Sequence, residues 1–458
     1  MSEVAPGQND IELEGRMEDT NEKGDDLFYM EDENGKRQLI EIDNVKDVSE
    51  KCHKTTNFES LMHLLKVSVG TGILGLPVAV MNAGIAVGPI SLFIAAIITM
   101  HCMLILVESA RELCKLSKRS SLDYGETAEE CVRMVAPSYA RVGRYTVNVI
   151  LCITQIGVCT VYILFVAKNV EQVLQQLHVV NFPVEVWILI MCPVLMLFSM
   201  IRSLSTLAYL STCANILMAF AILSIFSYLI PNTGSPSKLP MFAGWSVFPL
   251  FFGVAVFAFE AIPVVLPLEN QMREPKYFPN VVKCGMTIVM VIYICMGTLG
   301  YLTCMENCEG SITLNLPGTV FYSIVKLAVA VAVFFSYFIQ AYVPLKIIES
   351  WVFENIPEKL HFVTDTAFRV LLVVLACGLA AAVPQLHNVI SLVGALSMSL
   401  LGFVFPVAIH SITFYNKLSR TVHAKNILIF LFGVLGCLAG TYTAIYHIVK
   451  TMQEPDKS

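Results

Sequence analysis

Long apolar runs separated by short polar segments dominate the chain from residue 55 onward. Each run approaches the roughly 20 residues that a helix needs to cross a bilayer. The runs lie at about 58–80, 86–108, 145–168, 184–201, 207–230, 246–267, 282–303, 319–345, 367–384, 388–412 and 426–449. The pattern predicts an all-α integral membrane protein with eleven transmembrane helices.

The predicted loops differ in their content of lysine and arginine, which is enriched on the cytoplasmic side of membrane proteins. With a cytoplasmic N-terminus, the inner loops carry 17 such residues, whereas the outer loops carry only Lys168 and Lys238. The odd number of helices then puts the short C-terminal tail at 451–458 on the non-cytoplasmic side.

The composition separates the N-terminal segment from the rest. Of all residues 56% are hydrophobic and 14% are charged, whereas about a quarter are charged in soluble domains. Residues 1–54 hold 16 acidic and 7 basic residues, and residues 55–458 hold 20 and 23. We expect a disordered acidic cytoplasmic tail at 1–54, a membrane domain at 55–450, and no nucleic-acid partner.

The 14 cysteines lie mostly inside apolar runs and form no Cys-x-x-Cys pair. Such cysteines behave as small buried hydrophobes, so neither a metal site nor redox chemistry is expected. Cys304 and Cys308 differ, because they lie in a polar loop. Whether they form a disulfide remains open from the sequence.

Three glycines in the first run, Gly70, Gly72 and Gly75, match the dinucleotide-binding pattern G-x-G-x-x-G. That pattern functions at a strand-to-helix turn with an acid about 20 residues later, but these glycines lie inside an apolar span and the next acid is Glu108. A cofactor-binding enzyme is therefore not expected. The glycines provide either close helix packing or a break in the helix at a binding cavity.

The sixth run contains a second interruption. Gly253, Pro263 and Pro267 interrupt its apolar residues, and Glu260 lies within it. Two interruptions five helices apart are typical of inverted repeats with a substrate site at their interface. The repeats would cover about 55–230 and 240–415, with an extra helix at about 426–449, an arrangement that favours a secondary transporter.

Several blocks also resemble a known family. They are HLLK at 63–66, GTGILGLP at 70–77, NAGIAVGPISL at 82–92, HCM at 101–103, TQIGVCTVYILF at 154–165, PLFFGVAVFAFEAIPVVLPLEN at 249–270, GSITLNLP at 310–317 and ISLVGALS at 390–397. In these blocks the chain is similar to the proton-coupled amino acid transporter family, a branch of the auxin and amino acid permease group within the amino acid-polyamine-organocation superfamily. The resemblance implies a LeuT-like core of five plus five helices with one helix added. It also implies symport of protons with small neutral amino acids such as glycine, alanine or proline.

The first break is expected to bind the substrate carboxylate. Gly70, Thr71 and Gly72 would present free N–H groups at the positive end of a half-helix, and the resemblance points to the same residues. Ser68 is included because it precedes the break, at a position where the family commonly has asparagine.

Three residues flank the second break, namely Phe257, Phe259 and Glu260. If this break lines the site, at least one of the phenylalanines contacts the substrate. An ionisable group within a span is costly and so indicates function. Glu260 could instead hold the two helix pieces together, and the sequence leaves both interpretations open.

For the coupling proton, the resemblance implicates His63, and histidine changes charge between acidic and neutral pH. Glu260 is the alternative, and His101 is expected to give structural support. Lys66 and Lys326 are intramembrane cations, and the sequence does not determine whether each pairs with a carboxylate or extends to the membrane surface. Sodium is less expected, because Ser336 is the only hydroxyl in the matching part of the eighth helix apart from tyrosine. We expect no cofactor and no metal.

No G-x-x-x-x-G-K-[ST] motif for ATP-driven transport is present. The alternative to a transporter is a transporter-derived amino acid sensor whose tail recruits a cytoplasmic signalling partner. The expected partners are a small neutral amino acid substrate, membrane lipid and, in the sensor alternative, this signalling partner of the N-terminal tail. Plasma membrane and lysosomal or endosomal membrane are both compatible with it.

Overall fold

The computed structural model describes residues 28–31, 37–40, 54–202, 204–353 and 356–453. They form two compact units, divided after Thr55.

The N-terminal unit contains an antiparallel hairpin. Strand β1 is Phe28–Glu31 and strand β2 is Arg37–Ile40, with Phe28 opposite Ile40. The sequence between the strands includes Asn34-Gly35, which is a dipeptide typical of hairpin turns. The hairpin lies within the segment for which the composition predicts disorder, and it was not predicted. The remainder of the predicted disordered tail lies outside the described residues.

The described part of the second unit consists of helices joined by loops. Its helices are α1 Asn57–Ser68, α2 Leu76–Ala83, α3 Val87–Ser117, α4 Tyr124–Val135, α5 Ala140–Gln176, α6 Val184–Ser199, α7 Leu204–Leu229, α8 Phe248–Ala258, α9 Ile262–Asn270, α10 Phe278–Cys304, α11 Val320–Val352, α12 Glu358–Ala382, α13 Leu386–Val393, α14 Phe405–Thr413 and α15 Arg420–Gln453. Two π-helical turns, Gly394–Met398 and Leu400–Val404, join α13 to α14. Short 3₁₀ segments lie at Thr71–Gly75, Pro137–Tyr139, Ile230–Asn232, Pro236–Lys238, Pro275–Tyr277 and Ile312–Asn315.

The helices agree with the predicted apolar runs. Within the described residues, nine helical segments are long and apolar enough to cross a membrane, and α1 together with the segment after it would make a tenth. Helix α6 is apolar but has only 16 residues. Every predicted run coincides with one helix or one interrupted helix. The chain is thus an integral membrane protein, while the number of eleven spans stays a prediction.

Helix α4 was not predicted. It begins with a capping box, in which the Asp123 side chain accepts from the Glu126 backbone N–H and the Glu126 side chain accepts from the Asp123 backbone N–H. This box satisfies free N–H groups at the helix start. The Tyr124 hydroxyl donates to the Leu401 carbonyl and so joins α4 to the segment before α14.

Helix α8 lies at the centre of the helical unit. All nine residues from Leu250 to Ala258 are buried, as expected for a helix that is apolar on every face. By contrast, α15 exposes large apolar side chains such as Leu428, Leu435 and Leu438. An exposed apolar surface of this kind is typical of contact with lipid.

The segment between α10 and α11 packs against α5, α11 and α13. Cys304 and Cys308 form a disulfide there, which answers the question that the sequence left open. The Gln172 side chain of α5 donates to the Leu314 carbonyl at 2.8 Å. The fully buried Lys326 ammonium of α11 donates to the Leu316 carbonyl at 3.0 Å.

Candidate functional site

The first apolar run is interrupted at its glycines. Helix α1 ends at Ser68, Gly70 is extended with φ −109° and ψ −152°, and the 3₁₀ segment begins at Thr71. The chain bends by 43° at this point. The first N–H groups of a helical segment have no acceptor inside it. The interruption therefore leaves backbone donors at the positive end of a helix.

The second interruption lies directly against the first. Helix α8 ends at Ala258 and α9 begins at Ile262, with three residues between them. A Cβ atom at Gly72 would lie 2.5 Å from the Ala258 Cα atom. Only glycine permits this approach of the two backbones, so the two breaks form one site.

A polar network joins the second break to two further helices. The Gln340 amide of α11 donates to the Glu260 carboxylate at 3.1 Å and lies 3.4 Å from the Tyr162 hydroxyl of α5. A Cβ atom at Gly70 would lie 3.8 Å from the same hydroxyl. Glu260 makes no ion pair with any described residue. The site therefore holds one carboxyl group without a cationic partner.

A small cavity adjoins Glu260. Its walls come from α3, α5, the break after α8, and the π-helical segment before α14. They include Thr99, Thr154, Glu260, Pro263, Met398 and Gly402. The carboxyl group is thus half-buried and borders open space.

Tyr293 of α10 connects the two breaks. Its hydroxyl lies within hydrogen-bond distance of the Ala258 carbonyl, at 2.7 Å, and of the Ser68 carbonyl. These carbonyls belong to the last residues of α8 and α1. The tyrosine is fully buried.

A family model described as a transmembrane amino acid transporter protein matches residues 53–446. The chain belongs to this family. It is 35% identical to the proton-coupled amino acid transporter-like protein pathetic of Drosophila melanogaster, over 87% of this chain and 86% of that protein. It is 32% identical to the amino acid transporter AVT3A of Arabidopsis thaliana, over 84% of this chain and 88% of that protein. These relatives bear names of transporters, not of sensors or enzymes.

A solved sodium-coupled sialic acid symporter, in a substrate-bound outward-open state, is similar to the chain with a TM-score of 0.40 and 11% identity. The similarity covers 85% of this chain and 96% of that one.

The four residues predicted at the first break of the transporter occupy different environments. Gly70 and Gly72 lie at the junction of the breaks. The buried Thr71 hydroxyl lies near Tyr162 without a hydrogen bond of standard geometry. The Ser68 hydroxyl donates to the Leu64 carbonyl of its own helix at 2.9 Å, so it already has an acceptor.

The two phenylalanines predicted at the second break are both buried. The Phe259 ring packs against Tyr293 with ring centroids 5.0 Å apart. The Phe257 backbone nitrogen lies 2.9 Å from the Cβ position of Gly394, so this part of α8 packs closely against the segment after α13.

The two histidines of the sequence-based prediction lie away from the network. His63 is exposed on α1 and makes no hydrogen bond or ion pair with the described residues. His101 lies on α3, where its Nε2 atom is buried without a partner among them, and where His410 and Lys425 influence it electrostatically. The structure therefore brings Glu260, but neither histidine, into contact with the break residues.

The intramembrane lysines have no carboxylate partner within the described part of the chain. Lys326 is held by the Leu316 carbonyl and, at 3.4 Å, by the Gln176 side chain, and Lys66 is half-buried. The Ser336 hydroxyl donates to the Ala332 carbonyl at 2.9 Å. Among the described residues, no group of three or more His, Cys, Asp or Glu side chains is arranged to hold a metal ion.

Three site residues were not predicted from the sequence, namely Tyr162, Gln340 and Tyr293. Gln340 had a usable signal, because an amide within an apolar run is expected to have a hydrogen-bond partner. Tyr162 lies inside one of the blocks that resemble the family. Tyrosine is common in membrane helices, so Tyr293 could be recognised only from its contacts.

Proposed function

We propose that the chain is a secondary transporter that moves a small neutral amino acid together with protons, and that the substrate binds where the two helix breaks meet. The observation that carries the proposal is the contact of the breaks at Gly72 and Ala258, beside a carboxyl group with no cation. Family membership supports transport of an amino acid.

In this proposal the substrate carboxylate binds the backbone N–H groups at Gly70, Thr71 and Gly72. The Gly70 N–H donates to the Ser68 carbonyl at 3.1 Å in the structure and would exchange that acceptor for the substrate. Backbone N–H groups at a half-helix start favour an anion, and unwound carbonyl groups accept hydrogen bonds from a cation such as the substrate ammonium. A substrate side chain without charge is favoured, because the network of Tyr162, Gln340 and the breaks contains no cation to pair with an acidic side chain, and because Glu260 is neutral in this proposal when it carries the proton.

We assign the proton to Glu260, with His63 as the alternative. A carboxyl group at mid-membrane is costly when charged and unpaired. Protonation of Glu260 removes that cost, so proton binding and substrate binding at this network would favour each other. Gln340 can donate to the carboxylate or accept from the protonated form through its oxygen. Proton binding is therefore compatible with a hydrogen bond between Gln340 and Glu260.

The proposed topology has eleven spans, a LeuT-like core of two five-helix repeats, a cytoplasmic N-terminus and an outer C-terminus. The alternation of lysine and arginine between predicted loops supports it. Accessibility of terminal tags in intact and permeabilised cells tests it, and tags on one side only would contradict it.

The function is tested with purified protein in proteoliposomes. Labelled glycine, alanine and proline should accumulate when the outside is acidic, and leucine and arginine should not compete for uptake. Equal pH on both sides with an inward sodium gradient is the control and should give equilibration only. Sodium-driven accumulation without a pH gradient would overturn proton coupling.

A further inference from the structure

Tyr293 supplies a single hydroxyl to both helix breaks. The hydroxyl lies within hydrogen-bond distance of the Ser68 carbonyl and of the Ala258 carbonyl. Ser68 and Ala258 are more than 180 positions apart in the sequence, yet each is the last residue of a half-helix.

Those two carbonyl groups carry the negative ends of their helix dipoles. In secondary transporters a cation often lies between such ends. Here the space between them contains a hydroxyl whose residue is fully buried. A hydroxyl has one hydrogen and can donate to one carbonyl at a time. The Ser68 carbonyl also accepts from the Gly70 backbone N–H at 3.1 Å, so the Tyr293 hydroxyl adds a second donor there and places one donor within reach of both helix ends.

The same side chain also fixes an aromatic residue of the site. The Tyr293 ring packs against Phe259 with centroids 5.0 Å apart, and Phe259 follows directly after Ala258. The adjacent contact of Gly72 with Ala258 leaves no room for the breaks to shift toward each other. Tyr293 thus limits how far the breaks can separate, and the contact at Gly72 limits how closely they can approach.

We propose that Tyr293 is a positioning residue that holds the two helix breaks in register for substrate binding. The role rests on the proposed function only in that the substrate binds at the breaks. It acts through the backbone of Ser68 and Ala258.

The test compares Tyr293→Phe with Tyr301→Phe in the same helix. Tyr301 is equally buried, but its hydroxyl makes no hydrogen bond with the described residues. Hydrogen exchange of the protein in nanodiscs is measured on peptides covering 66–72 and 256–262. Loss of the shared donor should raise exchange in both peptides by about tenfold, and Tyr301→Phe should change neither by more than about twofold.

Uptake in proteoliposomes provides the second readout. Tyr293→Phe should raise the half-saturation concentration by about tenfold and lower the maximal rate less, because the folded protein remains but its site is misaligned. Unchanged exchange at both breaks would overturn the proposal, as would unchanged half-saturation. Failure of pH-driven uptake by the unmodified protein would instead contradict the proposed function, and the exchange measurement would still decide the role of Tyr293.

Discussion

The half-helices at the two breaks are packed very differently. Helix α1 buries only Ser60, Leu64 and Ser68 of its 12 residues, and it exposes Phe58 and Met62. Helix α8 buries every residue from Leu250 to Ala258. A segment with few buried contacts opens at lower free energy than one in the core. We therefore expect α1 to move during transport while α8 stays fixed.

The contact of Gly72, in the 3₁₀ segment after the moving helix α1, with Ala258 at the end of the fixed helix α8 is expected to be the position most sensitive to substitution. Gly72→Ala places a methyl group 2.5 Å from the Ala258 Cα atom, which forces the breaks apart. Overpacking of this kind costs about 1–3 kcal/mol. We expect uptake to fall to less than about a tenth, and Gly72→Leu to abolish binding.

Gly378→Ala is the matched control for that change, because a Cβ atom there meets nothing within 4 Å. It should leave uptake and thermal stability unchanged. If Gly72→Ala keeps the native half-saturation concentration for uptake, close contact of the two breaks is not required for substrate binding.

The break that follows the fixed helix α8 should carry the coupling group, Glu260. Glu260→Gln keeps the hydrogen bond with Gln340 but cannot change charge. We expect loss of accumulation driven by outside acid, while exchange of labelled for unlabelled substrate remains, because exchange needs no net proton movement. Counterflow in proteoliposomes at equal pH measures the exchange. Accumulation that still increases as the outside pH falls would exclude Glu260.

The moving half contains the histidine that the sequence favoured. His63 is exposed and outside the network, so His63→Ala should preserve pH-driven accumulation, with the rate changing by about twofold or less. Loss of accumulation with preserved exchange would return the coupling role to His63. The comparison of His63→Ala with Glu260→Gln thus decides whether His63 or Glu260 carries the proton.

The smallest expected effect is at the start of α1. The Thr56 hydroxyl accepts from the Glu59 backbone N–H at 3.3 Å, and Thr56→Ala removes this cap at a cost of about 1 kcal/mol. We expect faster hydrogen exchange in residues 57–60 and slightly altered uptake. Asp123→Ala removes the cap of α4 and should not alter uptake. Equal effects on uptake would argue against a special role for α1.

Sequence predicted the helices well because apolar runs of bilayer length admit few alternatives. The three glycines at 70, 72 and 75 indicated either close helix packing or a break, and α1 ends at Ser68 just before a 3₁₀ segment that begins at Thr71, while a broken span across the bilayer stays a prediction. The contacts of Tyr162, Gln340 and Tyr293 could not be predicted, because they join helices far apart in the chain. Helix α4 and the hairpin were not predicted, because a hydropathy pattern indicates long apolar elements. Their local signals are the Asp123 capping box and the Asn34-Gly35 dipeptide.

The central claim is that amino acid and proton move together through the junction of the breaks. Its most direct test is the internal pH of proteoliposomes that carry a pH-sensitive dye, with equal pH on both sides at the start. Adding glycine, alanine or proline outside should acidify the interior with the unmodified protein and not with Glu260→Gln. Uptake of labelled substrate by the unmodified protein without internal acidification would contradict the account.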